Sequence, residues 1–435
     1  MTHPNFDSEI VLKYKSQLTL INSFFDGVDS ATSYLIQYGK ESDKDFGIRK
    51  ELARLSNYTR EAVETIVALI FRHPFDVSEV ESTPLFPLLE KINLKDNLST
   101  FGMQMCTNLS KDGITYLLVE RGLISPNASK AESDAVPPYF VNLSRGSVRN
   151  FKQSGNEFTQ FTYNEAYEVE NGYQFETKIQ QRCYVMRDDI CYVEIWRDDV
   201  KVEELINPLG YIPIIQIGND LTPYFYDLAV INRNHFNLKN EQRYYARQCA
   251  YPQRLAWGLP TDSKGSIDLG VSNMIVFDDT PSNSGMEILE LSGNSIEVLE
   301  KLIIKDEEDM KKYIVGLIES GVQKTATEAS LINANNESTL SNIAMMIEDA
   351  INRGLEIMAD YQGLTNYTAK VKINTEFIDD TLTAEQIAQL KDLFINNAIS
   401  LDKLLDALVD GNILTFKDVK EREIMKESLV LNSNL

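Results

Sequence analysis

LIESGVQKTATEASLINANNESTLSNIAMMIEDAINRGLEIMADYQG, residues 317–363, is the stretch on which the reading of this chain turns. A helix is expected to end at Glu319-Ser320-Gly321, and Val322 to Ala329 is short and polar. From about Leu331 to Tyr361 a second helix is expected, with Leu340, Ile343, Ala344, Ile347, Ile351, Leu355 and Met358 at helical spacing. The stretch carries no nucleophile and no set of metal ligands. Gly316 to Thr325 comes near a phosphate-binding loop, but two residues separate Gly321 from Lys324 and a helix precedes the first glycine. Backbone N–H groups so arranged do not cradle phosphates, so nucleotide binding is not expected. A helix–loop–helix late in an acidic, catalytically bare chain points to a mechanical or assembly part.

Upstream, Ile296 to Ile318 reads as a long amphipathic helix with Ile296, Leu299, Ile303, Met310, Ile314 and Leu317 on its apolar stripe. Its other face, Lys305 to Asp309 with Lys311 and Lys312, carries both signs, as a solvated face or an intersubunit face of a ring does. Thr222 to Gln248 reads as another helix, with Phe225, Leu228, Ala229, Ile231 and Phe236 on one side and a basic face of Arg233, Lys239, Arg243 and Arg247. Short strands are expected around Arg254–Trp257 and Met274–Phe277. From Tyr139 to Ile217 the period is two: Phe158–Tyr163, Gln174–Met186, Cys191–Trp196 and Val200–Ile206 alternate, and Asn171-Gly172 and Asp188-Asp189 supply turns of an antiparallel meander. Tyr211–Ile217 adds a strand whose Pro213 puts it at an edge or a start.

The first third reads as helices around one buried strand, Ile114–Glu120, with a break near Asp26-Gly27 and Thr59 as N-cap of a helix ending at Arg72-His73-Pro74. A helix from about Leu98 to Leu109 stops before Gly113, and Pro126–Pro138 reads as a surface loop. Val371–Phe377 reads as a strand, and short helices separated by Asn396-Asn397 and Gly411-Asn412 follow. The class is α+β, and 435 residues are expected to divide into two or three domains.

The net charge of −23 disfavours a sequence-specific DNA reader, which needs clustered Lys and Arg; it suits a solvated protein or a wall that DNA slides past. The N-terminus does not read as a signal peptide, and no apolar run approaches the roughly 20 residues that span a bilayer. Cys106, Cys183, Cys191 and Cys249 lack metal spacing; Cys183 and Cys191 are expected as facing buried thiols rather than a bridge. His73 and His235 are expected to be structural. Asp188-Asp189, Asp198-Asp199, Asp278-Asp279 and Asp379-Asp380 read as turn chemistry rather than metal sites. No enzyme, cofactor or metal site is expected.

Several pieces, in order, resemble a family of tailed-bacteriophage portal proteins, in particular one found among short-tailed phages. They are ARLSNYTREAVETIVALIFRHPFDV (53–77), GITYLLVERG (113–122), IPIIQIGND (212–220) leading into YDLAVINRNHF (226–236), TATEASLINANNESTLSNIAMMIEDAINRGLEIMADYQG (325–363) and INTEFIDDTLTAEQIAQLKDLFINNAISLDKLLDAL (373–408). The resemblance implies a wing over 1–221, stem helices over 222–248 and 296–319, and a clip over 249–295 between them. It further implies a tunnel loop over 320–330, a long tunnel helix and returning wing strand over 331–381, and a short helical crown over 382–435.

It also implies a ring, most often of twelve copies, at one capsid vertex, conducting double-stranded DNA during packaging and ejection. The implied partners are the large terminase, capsid and scaffolding proteins, and a head–tail adaptor, with no membrane. The implied location is the virion, and the host cytoplasm during assembly. Channel candidates are Gln323, Lys324, Thr325, Thr327 and Glu328; one Lys324 per subunit would form a cationic collar, the other reading being an ordinary exposed lysine. The basic candidates Arg233, Lys239, Arg243 and Arg247 would meet acids of a neighbouring subunit or face the channel. The alternative to a portal is another head-completion protein without a channel.

Overall fold

The structure is a computed structural model that describes residues 4–39, 41–122, 136–155, 157–219, 222–250, 253–257, 274–277, 285–289, 294–318, 326–375, 384–395, 399–400 and 403–404. The chain is mixed α+β with antiparallel sheets, and it divides into compact units at Met1–Asn374 and Thr375–Leu435.

The first unit opens with Glu9–Asp26 (α1), which ends at Gly27, whose φ of 126° breaks the helix before the short Val28–Ala31 (α2). Asp43–Glu51 (α3) and Tyr58–Ile70 (α4) follow. The cap of α4 is Asn57, not Thr59: the Asn57 side chain accepts from the Arg60 N–H at 2.9 Å, while Thr59 is buried inside the helix. Asn97 caps Leu98–Asp112 (α5) in the same way, and Gly113 closes it in the left-handed region at φ 73°.

Three strands then form a sheet in the order β2-β1-β8: Thr115–Arg121 (β1), Pro138–Ser144 (β2) and Ile214–Ile217 (β8). A five-stranded meander lies between β2 and β8 in sequence: Val148–Ser154 (β3), Glu157–Asn171 (β4), Gln174–Arg187 (β5), Ile190–Arg197 (β6) and Val200–Asn207 (β7). Its β5–β6 and β6–β7 turns are paired acids, and Gly172-Tyr173 turns β4 into β5. Asp188, Asp189, Asp198 and Asp199 all have φ between 45° and 67°, the left-handed conformation a tight hairpin turn demands. The pairs Asp278-Asp279 and Asp379-Asp380 lie outside the described residues.

Tyr116 and Leu118 pack with Phe158, Phe161, Tyr163 and Tyr184 into a core between the two sheets. The alternate residue Leu117 faces Ala326–Gln362 (α8), where a Cβ on Gly354 would come within 2.9 Å of it and 2.7 Å of Phe140. The order of layers is therefore five-stranded sheet, three-stranded sheet, helix. The seven apolar positions expected on α8 from Leu340 to Met358 are all buried.

Two expectations are corrected. Cys183 pairs across with Glu194 and Cys191 with Met186, so the thiols point to opposite faces of the sheet and do not meet. Val371–Phe377 forms no ladder over its described residues. A single bridge joins Lys372 to Asp76, and side chains of α8 bond the backbone of Val371 and Ile373 on either side of it. Asn352 donates to the Val371 carbonyl at 3.0 Å and accepts from its N–H at 2.8 Å, and Glu348 accepts from the Ile373 N–H at 2.7 Å.

In the second unit Ala384–Ile395 (α9) is described; Asn396-Asn397, Gly411-Asn412 and most of the expected crown lie outside the described residues, as does most of the Pro126–Pro138 loop. Among the described residues, no helix is long and apolar enough to cross a membrane.

Asn352→Leu strands one buried N–H and one buried carbonyl of Val371. It is expected to cost about 2–4 kcal/mol, read as a lower urea midpoint at unchanged slope. A midpoint within error of the parent would show that the Asn352 bridge does not hold this segment.

Candidate functional site

The segment from Tyr226 to Gln362 is built as a helical hairpin followed by a long helix. Tyr226–Ala250 (α6) runs into a small sheet of Gln253–Trp257 (β9), Met274–Phe277 (β10) and Gly285–Leu289 (β11), and the chain returns as Asn294–Ile318 (α7). The two strands expected here are present, and the third, β11, was not legible as alternation. It lies antiparallel to β9, with Gln253 opposite Leu289, while β10 is parallel to β9. That pairing holds the end of α6 beside the start of α7. His235, 15 residues before Ala250, meets Glu307, 13 residues after Asn294, so the helices are antiparallel over a hairpin. Each helix has 25 residues, about 37 Å at 1.5 Å per residue.

The hairpin is joined by a buried polar cluster. His235 is fully buried, with Nε2 3.1 Å from Glu307 Oε1, and Lys239 Nζ lies 3.3 Å from the same oxygen and 3.1 Å from Ser56 Oγ. A carboxylate only accepts, so His235 donates from Nε2; among the described residues Nδ1 has no hydrogen-bond partner. The Tyr58 ring stands edge-on to the imidazole at 5.8 Å. Burial pulls the His235 pKa below its ordinary value and outweighs the bond to Glu307. For Glu307 burial pushes upward, but the bonds from His235 and Lys239 outweigh it and hold the carboxyl low.

Three asparagines along α6 clamp the start of α4 and the segments that connect the N-terminal helices. Asn232 accepts from the Thr59 hydroxyl at 3.1 Å and donates to the Ser56 carbonyl at 2.9 Å. Asn237 accepts from the Ile36 N–H at 2.9 Å, and Asn240 from the Arg54 N–H at 3.0 Å. Sequence reading placed the apolar residues of this face and passed over these. The signal was present: Asn, His and Asn at 232, 235 and 240 fall in line with the buried Phe236, and such residues weaken a helix interior unless they bond outward.

The four basic candidates do not make a separate outward face. At about 100° per residue they continue the line of the buried face, and what differs is height along the helix. Lys239 is drawn into the Glu307 pair and Arg233 is half-buried; Arg243 and Arg247 lie further along α6 and are exposed. Gln323, Lys324 and Thr325 lie outside the described residues. Thr327 and Glu328 fall in the first turn of α8, which begins at Ala326 and not near Leu331. Ala326, Glu328 and Ala329 are strong helix formers, and that local preference extends the helix into the expected loop.

Residues 224–362 match a family described as a domain of unknown function (DUF4055). The matched segment begins two residues before α6 and ends with α8, so the family's extent coincides with the hairpin, its small sheet and the long helix. None of the curated proteins compared matches the chain.

An open cleft of about 680 Å³ on the outer face of the meander is lined by Phe6, Lys152, Cys183, Arg187, Glu194 and Trp196. Its polar groups satisfy one another: Arg187 pairs with Glu194 and Glu204, and Trp196 Nε1 donates to Glu194 at 2.9 Å. Burial pushes the Cys183 thiol up and those of Cys106 and Cys191 to about 12, which disfavours the reactive thiolate at all three. Among the described residues no group of three or more His, Cys, Asp or Glu side chains is placed to hold a metal ion.

The His235 cluster has a consequence for pH. Its folded-state pKa lies below the unfolded value of about 6.5, so its contribution to stability is complete above that pH. As pH falls below 6.5 the unfolded chain takes the proton first and stability declines. Asp112, which burial pushes up to about 6, has the opposite slope, so the test is a difference between proteins. His235→Phe is expected to flatten the loss of urea midpoint between pH 8 and pH 5.5 relative to the parent. Equal slopes would remove His235 as the cause.

Proposed function

We propose that this chain is the subunit of a phage-type portal, a ring that conducts double-stranded DNA at one capsid vertex. The observation that carries the reading is the element order of one continuous segment: long helix, small sheet, long antiparallel helix, then a 37-residue helix. In the proposed portal α6 and α7 are the stem, the β9–β11 sheet is the clip, and α8 is the long helix behind the channel. The sheets and helices up to about Ile217 form most of the wing, and residues 382–435 form the crown. An α-helical hairpin with a sheet at its tip presents a narrow end to partners while its body packs laterally, which is the geometry a conduit uses.

The bulk electrostatics support this reading. Twelve copies of a chain of charge −23 would line a conduit with net negative charge, and DNA would pass it without being held. The proposed partners are the large terminase and later the head–tail adaptor at the clip, with capsid and scaffolding proteins around the wing. The proposed location is the virion, preceded by the host cytoplasm during assembly.

Electron microscopy and native mass spectrometry of the purified protein test the reading directly. Rings of about twelve subunits with an opening of roughly 20 Å or more, the width of a duplex, are expected. A chain that stays monomeric, also with its capsid and scaffold partners present, would move the assignment to a head-completion protein without a channel. Within assembled rings, Lys324→Ala is expected to weaken packaging or retention of DNA; unchanged packaging and retention would remove the Lys324 collar.

A further inference from the structure

A head-to-tail ring needs two different patches on each subunit that complement each other. Two extended faces of this chain have that relation. The first is a ribbon. β4 and β5 stay paired out to Asn171↔Gln174, but β3 reaches only Tyr163 on one side and β6 reaches only Gln181 on the other. Among the described residues, 164–171 and 174–180 therefore project as two strands with no third. A two-stranded ribbon is marginal in water on its own. One of its faces carries Phe175 and Ile179, 64% and 62% exposed, opposite Glu170 and Ala166, with Glu168 opposite Thr177 between them. The face is apolar along its β5 side, at Phe175 and Ile179, and acidic along its β4 side, at Glu168 and Glu170.

The second face is on α7. Ile303, Met310 and Ile314 point into the hairpin and are buried. Away from that side Val298, Leu302 and Tyr313 are 59%, 45% and 43% exposed, and at about 100° per residue they fall within an arc of about 60° that also holds Asp309, paired with Lys312 at 2.9 Å. Lys301, Lys305 and Lys312 border this stripe and are exposed. The stripe from Val298 to Tyr313 is about 22 Å long, and the free ribbon about 26 Å, at 1.5 Å and 3.3 Å per residue. Both faces are solvent-exposed on the same chain, so they do not cover each other within it.

We infer that the β4–β5 ribbon of one subunit docks along the Val298–Leu302–Tyr313 stripe of α7 in a second copy of this chain, with Glu168 and Glu170 against Lys301 and Lys305. The inference rests on the ring proposed above and names its lateral contact. The Glu168 and Glu170 carboxylates, the Lys301 and Lys305 ammonium groups, the apolar Phe175, Ile179, Val298 and Leu302, and the matched lengths fit the two faces to each other. The acidic ribbon face repels a second ribbon, so the contact joins unlike patches and propagates round a ring rather than closing a two-fold dimer through the ribbon.

Charge reversal with mixing tests it. Glu168→Lys/Glu170→Lys and Lys301→Glu/Lys305→Glu change exposed side chains, so each protein should keep the parent's circular dichroism and melting temperature. Each alone sets like charges across the contact and is expected to lose the ring species about tenfold or more in native mass spectrometry. Mixed one to one, each reversed ribbon meets a reversed stripe, and rings with alternating subunits should return. Parent rings with both variants assembling normally would overturn this contact and leave the ring itself standing. So would a loss that mixing does not restore. A parent chain that forms no ring removes the portal reading and this contact together.

Discussion

Strand β1 has water on neither face, and the first unit is organised by that constraint. Tyr116 and Leu118 fill the space against the meander, Leu117 is pressed between α8 and α5's side of the sheet, and all three are essentially inaccessible. Each such side chain contributes roughly 1.5–3 kcal/mol by leaving water, so the strand draws both layers onto itself. Its end is held by charge. The Glu120 carboxylate accepts from Arg182, from the Tyr184 hydroxyl at 2.6 Å and from the Tyr139 hydroxyl at 3.0 Å, joining the two sheets where the apolar core stops. At the same edge Arg121 donates to the Tyr361 carbonyl at the end of α8, and Asn207 donates to the Tyr361 hydroxyl at 2.7 Å. The long helix is thus fixed to the sheets at Gly354 by close approach and at Tyr361 by hydrogen bonds.

The hairpin is attached by different physics. Its helices meet through the His235–Glu307–Lys239 cluster, and α6 grips the N-terminal helices with amides that take over backbone groups at Ser56, Thr59 and Arg54. Directional polar contacts of this kind fix one register where an apolar seam tolerates sliding. A stem that transmits load in the proposed conduit benefits from a fixed register. The stripe left exposed on α7 and the acidic ribbon beyond the meander then stand out as surfaces with no role inside one chain.

Much of this was legible along the chain. The alternation from Phe158 to Ile206 marked the meander, and the Asp pairs marked its turns, because a tight hairpin selects residues that tolerate positive φ. The spacing of Leu340 to Met358 marked the buried side of α8. Other features were hidden for physical reasons. Thr59 looked like a cap because its type suits one, yet the neighbouring Asn57 reaches the N–H and Thr59 turns inward to Asn232. The run from Val371 has strand composition, but a strand needs a neighbouring edge, and here Asn352 of a helix occupies its hydrogen bonds.

The sequence by itself determined most of the long helices and meander strands, two of the hairpin turns, and which side of the long helix α8 is apolar, since these follow from periodicity and local steric preference within a few residues. Only the tertiary structure decided what each polar residue is for. Whether Lys239 pairs with Glu307 or faces solvent like Arg243, whether Cys183 meets Cys191, and which apolar stripe stays uncovered depend on residues tens to hundreds of positions apart. Spacing along a chain carries no record of such encounters; they exist only once the layers have packed.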